Sequence, residues 1–273
     1  MAIANHKGGV GKTGIAQGLI TAAAEAGQRV LAVDMDAQGN LTRRLRAQVP
    51  AAPEDRARAS LASVLQRPAV GEIERILVPC GYDDPTYSER ITIAPGHLEL
   101  ELLSLTAGTA SAEKRLLRAL HGVTDAFDLV VIDCPPNLLS HQIDIAFSAA
   151  DVLLLPCEAE YDAVESARRI YERVDRDRHT LNPDLAVAGM VVNRFRPNLN
   201  VHQERVAEIA NVRGADHVCP TRVHELVAVK GQAEHARPLR ADTTPQGREA
   251  ADAFRDIHSW LRSRTATVMG ATA

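Results

Sequence analysis

The segment Lys7-Gly8-Gly9-Val10-Gly11-Lys12-Thr13 constrains this chain more than any other. It follows a short apolar run, Ile3-Ala4, and opens an alanine-rich stretch, Thr13–Ala26, that is stopped by Gly27. A glycine-rich turn between a strand and a helix brings backbone N–H groups and a helix N-terminus to bear on a polyphosphate. Gly8, Gly9 and Gly11 let the backbone approach phosphate without Cβ clashes. Lys12 neutralises the β/γ oxygens, and Thr13 supplies a hydroxyl to Mg²⁺. The cradle so defined comprises Gly8, Gly9, Val10, Gly11, Lys12, Thr13 and Gly14.

The remaining pattern fits a sheet built around that loop. Short β-branched runs at Arg29–Val33, Arg90–Ala94, Leu129–Ile132, Val152–Leu155, Val187–Val192 and Val218 alternate with helical stretches at Ala163–Leu181, Val201–Val212 and Gly247–Arg262. This βα rhythm predicts an α/β fold with a mostly parallel, twisted sheet flanked by helices on both faces. Ala47–Arg58 and Cys80–Glu89 lack periodicity and read as surface loops. With 273 residues, 45% of them hydrophobic, the chain can bury one full core, so the expectation is a single domain over residues 1–273.

Composition removes several alternatives. Cys80, Cys134, Cys157 and Cys219 form no CxxC pair, so neither a zinc site nor a disulfide framework is signalled, and a reducing cytoplasm fits. Against 35 Asp and Glu stand 31 Lys and Arg, so any nucleic-acid contact must come from a local patch rather than from the overall field. Residues 168–273 hold 17 Lys and Arg against 13 Asp and Glu, a modest basic bias. No segment offers the charge-free apolar run of a membrane span.

A second carboxylate site follows from strand logic. Phe127-Asp128-Leu129-Val130-Val131-Ile132-Asp133 is an apolar run ending in an acid, as a strand must be if its carboxylate is to reach Mg²⁺ beside the phosphate loop. Asp133 is therefore the expected metal-side acid, with Thr13 and Asp34 as the other metal-side candidates. Asp36 can place a water in line with a terminal phosphate.

The strict phosphate-loop pattern wants glycine at position 6, which is His6; the sequence instead carries the deviant form KGGVGKT. With Asp34-Met35-Asp36-Ala37-Gln38-Gly39-Asn40 and Asp133-Cys134-Pro135-Pro136, it resembles the ParA/MinD family, nearest its small partition ATPases, and so implies a P-loop NTPase fold. The resemblance spans nearly the whole chain. It implies ATP and Mg²⁺ as ligands, Lys7 reaching across an ATP-sandwich homodimer to the partner's nucleotide, and Asp36 orienting the attacking water. Asp34 would hold the metal's water shell or the switch loop. Asn193 would read adenine, with the backbone at Pro220 flanking it. There are departures. Ala37 replaces the family's proline. Gly14 stands where the family usually has a hydroxyl on the α-phosphate, at roughly 1 kcal/mol of helix cost. The first strand is short, as a late-assigned start would leave it.

In relatives that bind DNA nonspecifically, basic residues lie where Arg196 and Arg222 stand here. With 3% aromatic residues and no helix-turn-helix before the loop, any DNA contact should be directed at phosphate and sensitive to salt. The polar tail Thr265–Ala273 argues against a membrane-targeting helix. The expectation is a cytoplasmic, nucleoid-associated ATPase, weakly active alone and stimulated by DNA and a ParB-like centromere-binding or cargo-adaptor protein. The alternatives are a MinD-like or antiactivator switch and an ATP-dependent small-molecule ligase.

Overall fold

Seven strands form one sheet in the computed structural model, which describes residues 1–270. The strands are β1 (Ala2–Ile3), β2 (Val30–Asp34), β3 (Val78–Pro79), β4 (Ile91–Ala94), β5 (Leu129–Asp133), β6 (Val152–Glu158) and β7 (Ala186–Asn193). Their order is β3-β4-β2-β5-β1-β6-β7, parallel throughout except for β3, which pairs antiparallel with β4 at one edge. The helices are α1 (Lys12–Glu25), α2 (Asn40–Arg44), α3 (Pro53–Arg58), α4 (Leu61–Gln66), α5 (Pro85–Ser88), α6 (Arg115–Leu120), α7 (His141–Ala149), α8 (Ala163–Leu181), α9 (Asn200–Arg213), α10 (Val227–His235) and α11 (Pro245–Gly270).

Alternation along β2 shows how the sheet divides two cores. Leu31 and Val33 face one, together with Phe147 of α7 and Ile170 of α8; Val30 and Ala32 face the other, with α1 and α11. A parallel strand must be apolar on both faces, which is why these runs are nearly unbroken. β1 is short but central, lying between β5 and β6, so the loop that follows it emerges in the middle of the sheet.

Where the structure departs from the sequence reading, local chemistry explains it. Val218 makes only an isolated bridge to Met190. β6 runs on through Pro156 to Glu158, a proline that a sequence reading takes as a strand end. The stretch expected as a loop at Cys80–Glu89 is packed, because Cys80, Tyr82 and Tyr87 are buried and the Tyr87 hydroxyl donates 2.7 Å to Glu25 of α1. Within Ala47–Arg58 the last six residues form α3, with Pro53 at its first turn followed by Glu54 and Asp55, favourable chemistry for a helix start.

The alanine-rich character of α1 has a packing cause. The helix is buried along most of its length and packs closely on α11. A Cβ added at Gly18 would stand 2.3–2.5 Å from ring atoms of Phe254, so the glycine is what lets the two helices approach. Gly18→Ala should destabilise the protein by about 1–3 kcal/mol, read as a lowered melting temperature, and Phe254→Leu in the same chain should recover part of the loss. An unchanged melting temperature for Gly18→Ala would contradict this packing account.

Candidate nucleotide site

The loop after β1 lies between the carboxyl ends of β5 and β6, where the chain's strand order across the sheet changes direction. In open α/β sheets this switch point forms a crevice. Asn5 builds the loop's entry: its Nδ2 donates 2.5 Å to the Pro156 carbonyl, and its Oδ1 accepts from Lys7 N at 3.0 Å. Gly11 caps α1 in the left-handed region, at φ 88°. A Cβ there would lie 2.2 Å from the Asn193 amide nitrogen, so glycine is required both by conformation and by space. Gly8 and Gly9 are exposed, while Val10 is buried and anchors the loop in the core.

Lys12 is buried, its Nζ donating 3.2 Å to the Lys7 carbonyl, and burial lowers its pKa. Thr13 follows at the head of α1, with its hydroxyl toward Asp133. Asp34 and Asp133 are register partners on adjacent strands, and both are completely buried. Their surroundings differ. Asp34 Oδ2 accepts from Thr42 N at 2.8 Å and Thr42 Oγ1 at 2.6 Å, and its Oδ1 accepts from Asp36 N at 3.3 Å. Burial still pushes Asp34 up to about 6. Bonded to Thr42 through one oxygen and to the Asp36 N–H through the other, Asp34 is placed to hold the loop carrying Asp36.

Asp133 is the opposite case. Neither of its oxygens has a well-aligned hydrogen-bond partner. Burial and then the neighbouring Asp34 push it up to about 8, with the Thr13 hydroxyl offsetting part of the shift. A buried carboxylate pair of lone oxygens beside a lysine and a glycine cradle is the donor set that suits Mg²⁺ with a polyphosphate. Asp36 is half-buried near the same crevice, its Oδ1 accepting from Gln38 N at 3.0 Å.

Lys7 turns the other way. Its Nζ pairs with Glu160 at 2.7 Å and Asp162 at 3.1 Å on the rim, so the two lysines of the loop serve different sides of it. Tyr161, between those two acids in sequence, is 85% exposed, and Leu139, on the segment after Asp133, is 77% exposed.

The late residues are only partly brought together. Asn193 is buried at the end of β7 and donates 2.9 Å to the Val10 carbonyl, spending an amide hydrogen on the loop. Beside it opens a pocket of about 230 Å³ lined by Gly11, Gly14, Arg44, Asn193, Glu225 and Leu226 among others. Pro220 is exposed and lines a different groove with Trp260 and Arg264; His224, Glu225 and Leu226 line the pocket beside Asn193. Arg196 and Arg222 do share a corner. Arg222 lies over the Phe195 ring at 4.9 Å, and Arg196 pairs with Glu225.

Comparison with known proteins fits this geometry. The family model described as an AAA domain matches residues 1–187. The chromosome partitioning protein ParA of Caulobacter vibrioides is 31% identical over 244 residues, 88% of this chain and 85% of that protein. The chain belongs to the ParA family of P-loop ATPases. Among solved structures, a complex of a Cyanothece McdA variant with ATP has the same fold, with a TM-score of 0.80 at 21% identity over 96% of this chain and 95% of that one. Cobyrinic acid a,c-diamide synthase from Mycobacterium smegmatis, with bound ADP and magnesium, matches with a TM-score of 0.74 at 26% identity over 94% of this chain and 91% of that one.

Several supporting residues of this ParA-family site carry no motif. Thr42 also accepts from Gly96 N at 2.9 Å, tying β2's loop to the end of β4, and Arg194 pairs with Glu158 at 2.8 Å. Only distance across the fold reveals them. A buried carboxyl with no aligned hydrogen-bond partner lowers stability until a cation answers it. Asp133→Asn should therefore raise the melting temperature of the nucleotide-free protein while abolishing the further rise that ATP with Mg²⁺ gives the parent chain. A nucleotide-free variant no more stable than the parent would count against this reading of Asp133.

Proposed function

We propose that this chain is an ATP hydrolase that dimerises when it binds ATP and Mg²⁺, binds duplex DNA without sequence preference, and segregates or positions a cargo. The cargo would be a plasmid or chromosome origin, or another body linked by a ParB-like centromere-binding protein or an adaptor, with the ATPase acting on the nucleoid in the cytoplasm. The observation that carries the reading is the outward turn of Lys7. A lysine that served only its own subunit's phosphates would point into the crevice, as Lys12 does; Lys7 stands at the rim, beside exposed Tyr161.

In this reading Gly8, Gly9, Val10, Gly11 and Gly14 shape the cradle, Lys12 neutralises phosphate, and Thr13 with Asp133 holds Mg²⁺. The metal's contribution is to neutralise charge developing on the phosphate oxygens. Asp36 orients water and accepts its hydrogen bond, and Asp34 keeps Asp36 in place by accepting from its N–H. Asn193 and the pocket beside it receive the base. A second subunit's Lys7 completes the charge around the nucleotide. Arg196 and Arg222 supply phosphate contacts that are weak singly, and pairing two such patches in a dimer strengthens attraction without any base-reading element. The likeness to a cobyrinic acid a,c-diamide synthase favours one other reading, an ATP-dependent ligase; ATP turnover without an organic acid separates the two.

Asp36→Ala should bind ATP, hydrolyse it far more slowly than the parent, and run as a dimer on size exclusion with ATP and Mg²⁺. That trapped dimer should bind unrelated duplexes equally, lose affinity steeply with added salt, and bind more weakly still with Arg196→Glu and Arg222→Glu. A monomeric Asp36→Ala, or one with parental turnover, would assign the water to another group. An ATP-bound dimer that ignores DNA at low salt would remove the nucleoid from the account and leave a protein or membrane switch.

A further inference from the structure

Among the described residues, one cation lining the pocket beside the phosphate loop makes no ion pair or hydrogen bond. Arg194 pairs with Glu158, Lys230 with Glu225, and His224 with Glu249. Arg44 lines the same pocket, yet among the described residues its guanidinium makes no ion pair or hydrogen bond. The side chain is half-buried, so this lone charge is only partly solvated, an arrangement that proteins seldom keep without a partner.

Its position is fixed from the backbone. Arg44 ends α2, two residues after the Thr42 that clamps Asp34. The Tyr82 hydroxyl donates 2.7 Å to the Arg44 carbonyl, and Gln17 of α1 donates 2.9 Å to that hydroxyl. The guanidinium then reaches the first turn of α1: a Cβ placed on Gly14 would lie 3.5 Å from Arg44 Nη1. Gly14 is two residues beyond Lys12, offers no hydroxyl of its own, and leaves the space that the arginine borders. Asp133 attracts the guanidinium from across the crevice, so Arg44 faces the same interior as the phosphate loop.

We infer that Arg44 is a nucleotide-binding residue whose guanidinium takes an oxygen of the phosphate adjoining the nucleoside, standing in for a side-chain hydroxyl that Gly14 lacks. The inference rests on the ATPase reading of this site. The geometry selects that phosphate because Arg44 lines the pocket with Asn193 and Leu226, where the nucleoside fits, while Lys12 and Asp133 occupy the far, metal-bearing side of the crevice. A charge-assisted bond from a planar guanidinium is stronger than a neutral hydroxyl contact, so the exchange need not weaken nucleotide binding.

The test is titration calorimetry of ADP with Mg²⁺ on the full chain. Arg44→Ala should bind ADP roughly 10- to 100-fold more weakly than the parent, and Arg44→Gln, which keeps the packing stem, should lose a similar factor at an unchanged melting temperature. Gly14→Thr placed in the Arg44→Ala chain should recover most of the loss, since it returns a donor to the same turn. Parental ADP affinity in both arginine variants would overturn the inference, as would a loss that Gly14→Thr leaves untouched. A parent chain that binds no ADP would overturn the ATPase reading itself, and this inference with it.

Discussion

Two carboxylates forced side by side in a dry interior govern this structure. Asp34 and Asp133 end neighbouring parallel strands in register, which sets their backbones roughly 4.8 Å apart. Neither reaches solvent, and like charges so placed disfavour ionisation of both. The fold resolves the conflict unequally. Asp34 is satisfied by Thr42 and by the N–H of Asp36, so its charge is used to shape a loop. Asp133 is left without aligned partners, so its oxygens stay open to a cation.

The loop's two lysines show the same division. Lys12 is buried and bonded to the loop's own carbonyl, within the field of Asp133. Lys7 is five residues earlier, on the far side of three glycines, and is drawn outward by Glu160 and Asp162. These rim pairs are solvent-exposed, and exposed pairs are worth little, so Lys7 can be released from them cheaply when a better anion arrives. A triphosphate presented by a second subunit is such an anion.

Much of this was legible in the sequence. The phosphate loop, Asp36 and Asp133 are contiguous motifs, and the runs that became β2, β4, β5, β7, α1, α8 and α9 carry clear periodicity or apolar continuity. What was not legible depends on contacts across the fold. Pro156 conceals the extension of β6, and Tyr82 and Tyr87 sit in an aperiodic segment yet are pinned to α1 by Gln17 and Glu25. Thr42 and Gly96 become partners only once β2 and β4 are adjacent.

The central claim is that Lys12 completes its own subunit's cradle while Lys7 serves the other subunit. Sedimentation of the parent, Lys12→Ala and Lys7→Ala chains with ATP and Mg²⁺, alongside direct measurement of bound ATP, tests it most directly. The account predicts a dimer for the parent, loss of ATP binding for Lys12→Ala, and a monomer that still binds ATP for Lys7→Ala. ATP-dependent dimers of Lys7→Ala indistinguishable from the parent's would contradict it.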